Sequence, residues 1–128
     1  MRHRKNRGKL ARSPEHRKAM LNNIVSSLFE QNIIVTTTPK AKEARKLAEK
    51  FITIAKKDDG VNARRRISKS IQSRKIMKKL FEEIVPLYKD RDGGYTRVVR
   101  IGNRRGDGSS LSVLELVEKP SSGEKESE

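Results

Sequence analysis

From Val61 to Lys79 the chain carries eight lysines and arginines and no acidic residue. This stretch constrains the fold more than any other. The spacing predicts a short helix at about 61–69 and another at about 73–85. In the second, Ile76, Met77, Leu80, Phe81 and Ile84 form one stripe, and Arg74, Lys75, Lys78 and Lys79 form the opposite one. A solvated helix face usually mixes signs, because i,i+4 ion pairs add a few tenths of a kcal/mol. A uniformly positive face repels itself in the free protein and becomes favourable only against a polyanion. The fold must therefore leave this face outward, with Arg64, Arg65 and Arg66 near it in sequence.

The same bias runs through the whole chain. Lys plus Arg is 31 and Asp plus Glu is 16, a net charge of +15 over 128 residues. Binding a polyanion relieves that repulsion and releases counterions, so nucleic acid is the first partner class to consider. Hydrophobic residues make up 33% and charged residues 37%, which suits one domain with a small core. With no cysteine, disulfides and thiolate metal sites are excluded. No apolar run approaches the roughly 18–20 residues needed to span a bilayer, and no apolar signal core follows the basic N-terminus. The expectation is a soluble, intracellular protein with no membrane, cofactor, metal or small-molecule substrate.

Local signals divide the chain into three parts. Residues 1–12 are basic and nearly devoid of large aliphatic side chains, so they should form a flexible arm that orders on its partner. A globular domain is expected over 13–118, and a disordered acidic tail over 119–128. Ser13-Pro14 reads as an N-cap followed by proline, opening a helix at about 14–31. Ile33 to Thr37 is β-branched throughout and reads as a strand. Thr38-Pro39 repeats the cap-plus-proline device before a helix at about 39–57. Ala44, Leu47, Ala48, Phe51, Ile52 and Ala55 share its apolar face, and Arg45, Lys46, Lys50, Lys56 and Lys57 lie opposite. Pro86 should close the helix at 73–85. Strands at Tyr95–Gly102 and Ser110–Val117 should form a hairpin around a glycine-rich basic loop. The order α-β-α-α-α-β-β implies an α+β domain, a small mixed sheet of about three strands covered by helices on one face.

Three places carry candidate binding chemistry. In the arm, arginine can fork onto phosphate oxygens or stack on unpaired bases. The basic face of the 73–85 helix is the second. The third is the Gly94-Tyr95-Thr96-Arg97 turn with Arg100, Arg104 and Arg105, where Tyr95 either stacks on a base or caps the core. No enzyme reading assembles. Gly102 to Gly108 lacks the Lys-Ser/Thr ending of a phosphate-binding loop, and Asp58-Asp59 and Asp90/Asp92 fit turns or helix ends better than metal sites. A DNA-associated architectural protein shares the charge but should carry an apolar wedge-bearing arm.

Several motifs together resemble the family of bacterial large-subunit ribosomal protein seventeen. They are Met1-Arg-His-Arg-Lys5, the helix start Arg12 to Arg17, the run Ile33 to Glu43, Lys79-Leu80-Phe81, Gly93 to Arg97, Arg104 to Asp107, and Leu114 to Val117. The resemblance covers residues 1 to about 118. It implies a structural, non-catalytic role in the ribosome, in the cytoplasm. The implied partners are 23S rRNA near the polypeptide exit tunnel and neighbouring large-subunit proteins. The rRNA-binding residues expected are Arg2, His3, Arg4, Lys5, Arg7, Lys9 and Arg12 in the arm, with His16 and Arg17 at the helix start. Lys40, Lys42, Arg45 and Lys46, then Arg64, Arg65 and Arg66, then Arg74, Lys75 and Lys78 follow on the helices. Tyr95, Arg97, Arg100, Arg104 and Arg105 complete the set on the hairpin.

Overall fold

The computed structural model describes residues 13–58 and 60–120. The expected arm (1–12) lies outside the described residues. Helix α1 spans Pro14–Gln31. Ser13 caps it as expected, its side chain accepting from the His16 N–H at 3.3 Å. Asn32 ends it in the left-handed region, at φ 73°. Strand β1 (Ile33–Thr37) leads into α2 (Thr38–Lys57). Here the expected cap differs: Thr37 is the N-cap and makes no side-chain cap bond. The Thr38 hydroxyl turns instead to Ser110 Oγ and Ser112 Oγ, 2.7 Å from each. Because Ser112 is fully buried, its hydroxyl needs that partner more than the helix end does.

Helix α3 (Val61–Ser68) and α4 (Arg74–Lys79) follow. Pro86 does not close the winding that α4 begins. The chain passes through a π turn at Leu80–Ile84 and a 3₁₀ turn at Val85–Tyr88, with Pro86 inside the latter. Proline lacks an N–H, and its ring collides with the carbonyl four residues back in a regular helix. The widened turn just before it, where Val85 N–H reaches back to Leu80 O, relieves that collision.

Strands β2 (Thr96–Asn103) and β3 (Ser110–Leu116) complete a three-stranded sheet in the order β1-β3-β2. Both pairings are antiparallel, so the sheet is not the mixed one expected. Its last strand inserts between the other two, antiparallel to each. The register puts Ile34, Leu114 and Val98 in one cross-strand row, and Val35, Val113 and Val99 in the next. Alternation then assigns the first row to the core and the second to the open face. Helix α2 packs across all three strands on the core side, where Leu114 and Leu116 are fully buried. On the open face Ile33, Val35, Val99 and Ile101 remain 43–57% exposed.

The core joins α1 (Val25, Leu28, Phe29), α2 (Ala44, Ala48, Ile52), α3 (Ile67), Ile71 and the α4–3₁₀ segment (Leu80, Ile84, Tyr88) to the sheet. The small residues of α2 let it approach both the sheet and its helical neighbours. Tyr88 fixes the segment just after β3: its hydroxyl donates to Glu118 O at 2.8 Å and accepts the Glu118 N–H at 2.9 Å. Burial pushes the Tyr88 phenol up to about 12. Lys119 pairs with Glu115, and Pro120 is buried. Of these two residues, expected in the tail, Lys119 is exposed beside its partner and Pro120 alone is buried.

Candidate nucleic-acid interface

The sequence-predicted cations separate into those held by acids and those left without a partner. On the sheet, Arg97 Nε lies 3.1 Å from Glu115 Oε2, and the same carboxylate takes Lys119 at 3.1 Å. Arg104 forks onto Asp107, with contacts of 3.2 and 2.6 Å. That hydrogen bond, with a second from the Ser109 N–H, holds the Asp107 carboxyl well below the usual carboxylate range. Arg104 is therefore committed to shaping the hairpin loop, while Arg100 and Arg105 are exposed. The glycines of this region serve backbone geometry. Gly93 and Gly94 turn into β2 at φ 116° and 65°, and Gly102 sits at the register shift of β2 at φ 147°.

Tyr95 takes the core-capping alternative. It is 4% exposed, with its ring edge-on to Tyr88 at 5.1 Å between centroids. Lys56 Nζ donates to its hydroxyl at 3.0 Å and to Arg91 O, and stands 4.9 Å from the ring centre. The ring is thus not presented to a base, and Lys56 is not part of the outward face assigned to it. Thr96 beside it is also buried, and both its N–H and its hydroxyl donate to Glu49 Oε2, at 3.0 and 2.8 Å.

The helices behave differently. Arg65, Arg66, Arg74, Lys75 and Lys78 are exposed, and their side chains have no ion-pair or hydrogen-bond partner among the described residues. Arg64 lies over the Phe81 ring at 4.2 Å, which orients its guanidinium without neutralising it. The structure brings Arg64, Arg65 and Arg74 together around a groove of about 260 Å³ between α3 and α4. Lys75 and Lys78 line a second concavity with Glu30 and Glu83. Lys79, predicted on the same basic stripe, instead binds Glu30 O at 2.8 Å and Asn32 Oδ1 at 2.9 Å, tying α4 to the end of α1. Burial lowers its pKa, against the pull of Glu83 and Glu30.

On α2, Lys42 is exposed and Lys40 half-buried. Arg45 approaches Glu49 at 3.7 Å, and Glu43 takes both Arg17 (3.2 Å) and Lys46 (3.1 Å). His16 is exposed in the first turn of α1. Of the predicted site residues, Arg2, His3, Arg4, Lys5, Arg7, Lys9 and Arg12 lie outside the described residues. The structure also gathers cations that the sequence pattern does not nominate: Lys18, Lys50, Lys57 and Lys69 stand around Arg66 in two adjoining concavities. Helical spacing alone places Lys50 and Lys57 on one stripe of α2, but nothing in the sequence says which helix lies beside that stripe.

Among the described residues no cluster of His, Asp and Glu could hold a metal ion, and no helix is long and apolar enough to cross a membrane. The comparisons with known proteins fit this charged surface. The family model described as Ribosomal protein L17 matches residues 20–117. The chain belongs to the ribosomal protein L17 family. The chain is 54% identical over 121 residues to the large ribosomal subunit protein bL17 of Finegoldia magna, covering 92% of both chains. It is 49% identical to the bL17 proteins of Myxococcus xanthus (94% of this chain, 86% of the relative) and Dictyoglomus thermophilum (91% and 100%). Membership makes this chain a structural ribosomal protein and not an enzyme, and its place is with the ribosome in the cytoplasm.

Proposed function

We propose that this L17-family chain is a component of the large ribosomal subunit that binds and stabilises 23S rRNA near the polypeptide exit tunnel. One observation carries the RNA-binding reading: Arg65, Arg66, Arg74, Lys75 and Lys78 collect on α3 and α4 with no partner among the described residues. Such a surface costs stability in the free protein and gains it against phosphate. The mechanism is charge neutralisation with shape matching, and base-edge readout contributes little. Residues 1–12 would thread into folded rRNA, adding their six lysines and arginines. Neighbouring large-subunit proteins are the further partners, and the exposed apolar residues of the sheet's open face suit them better than RNA.

Crosslinking on intact large subunits tests this. Arg65, Arg74 and Lys78 should crosslink to 23S rRNA, with one copy of the chain per subunit. Absence of the chain from salt-washed large subunits, or a preference for duplex DNA over structured RNA at matched salt, would overturn it.

A further inference from the structure

A cation-rimmed cleft lies where α1, α2 and α3 meet. Its volume is about 620 Å³. Leu21, Leu47 and Phe51 form its floor, and Lys18, Lys50, Arg66 and Lys69 stand at its rim. These four cations are exposed and have no partner among the described residues. The cleft's own acid, Glu43, is already taken up by Arg17 and Lys46. Asn22 and Ser70 supply hydrogen-bonding groups inside it. Lys50 and Arg66 also line the adjoining concavity of about 410 Å³, which continues past Lys57 towards the end of α2. The two form one trough, with Lys50 and Arg66 on the ridge between them.

We infer that this trough binds single-stranded RNA, with one unstacked nucleotide seated in the α1–α2–α3 cleft and the flanking phosphates on Lys50, Arg66 and their neighbours. The inference rests on the RNA-binding reading above and specifies which RNA this surface takes. A duplex keeps its bases stacked inward and offers only backbone, for which a flat basic face is enough. An unpaired nucleotide offers a base with a flat apolar face and polar edges, together with a phosphate. The volume is compatible with this: about 620 Å³ lies within the roughly 300–1,000 Å³ of small-ligand sites, room for one nucleotide. Leu21, Leu47 and Phe51 give the base an apolar floor, and Asn22 and Ser70 can reach its edges. Single-strand binders combine a basic track with such base contacts.

The test uses the full chain and two probes of equal length: an RNA octamer carrying one 2-aminopurine, and an RNA hairpin. The wild-type protein should bind the octamer about tenfold more tightly than the hairpin, and the 2-aminopurine emission should change as the base leaves its stack. Lys50→Gln with Arg66→Gln should remove that preference and weaken octamer binding about tenfold. It should also lower the salt slope by about 1.4, at about 0.7 for each single-strand phosphate neutralised. Both side chains are exposed, so circular dichroism should show an unchanged fold. Lys75→Gln with Lys78→Gln, outside the trough, should weaken both probes and keep the preference. Equal wild-type binding to both probes, or the same response from the two double variants, overturns the trough. Uptake of the wild-type chain into large subunits separates the cases. Uptake without a single-strand preference removes this site alone, whereas failed uptake removes the ribosomal reading beneath it.

Discussion

On β2, Arg97 lies 3.1 Å from a carboxylate of β3, and at the hairpin loop Arg104 is forked onto Asp107. On α3 and α4, Arg65, Arg66, Arg74, Lys75 and Lys78 have no such acid among the described residues. Both regions use cationic side chains, but to different ends. Paired cations on the sheet hold strand register and loop shape. Unpaired cations on the helices store repulsion that only an external anion relieves. Arg100 and Arg105 are the exceptions on the sheet side, exposed towards the hairpin end. A net charge therefore says less about binding than the distribution of partners does.

The sheet itself separates a core side from an open side, and mutation should expose this with the largest effect. Leu114, fully buried in the central strand, contacts α2 through the core. Leu114→Ala should destabilise the free protein by about 2–5 kcal/mol. Val99, 43% exposed on the opposite face, should lose no more than about 0.5 kcal/mol on truncation to alanine. Urea melts of both variants measure the contrast. Equal losses would mean that the open face is covered in the free protein.

Charge removal should split the same way. Arg65→Gln with Arg74→Gln should weaken structured-RNA binding about tenfold and reduce its salt slope by about 0.7–0.9 for each phosphate no longer neutralised. It should leave stability unchanged or slightly raised. Arg97→Gln should do the reverse, costing up to about 1 kcal/mol as an exposed ion pair does while RNA affinity holds. Salt titrations beside thermal melts read both quantities. If Arg97→Gln weakened RNA binding as much as the helical pair did, the division between paired and unpaired cations would fail.

Much of this division is legible in the sequence, and the parts that are not share a cause. Apolar periodicity locates the α1 and α2 helices and the alternating strands, because those patterns report one element against one core. Tyr95 is undecidable for the same reason: its fate depends on Tyr88 and Lys56, seven and 39 residues away in sequence. Lys79 matches the basic stripe of its helix, yet the end of α1 claims it. Thr38 has the look of a cap until β3 supplies serines for its hydroxyl. The sheet order β1-β3-β2 likewise depends on long-range pairing that no local pattern encodes. The α1–α2–α3 trough is hidden because its cations come from three separate helices.

The smallest expected effect concerns pH, and it tests whether the hairpin loop belongs with the paired class. Arg104 and the Ser109 N–H stabilise the ionised form of Asp107 in the folded protein. A carboxyl depressed in this way contributes stability above its unfolded value of about 3.9. That contribution is lost only as pH falls through the lower folded value. Between pH 7 and 4 the loop should therefore keep its geometry. The Asp107 carboxyl carbon, followed by NMR, should titrate with a midpoint clearly below 3.9. Arg104→Gln should raise that midpoint towards the ordinary range, with the Ser109 N–H still holding it somewhat low, and leave the sheet intact, since the loop keeps its backbone bonds from Arg104 N–H to Ser109 O and from Gly108 N–H to Arg104 O. A wild-type midpoint at or above 4 would show that Asp107 does not hold Arg104 in solution. Arg104 would then join Arg100 and Arg105 among the cations left for RNA.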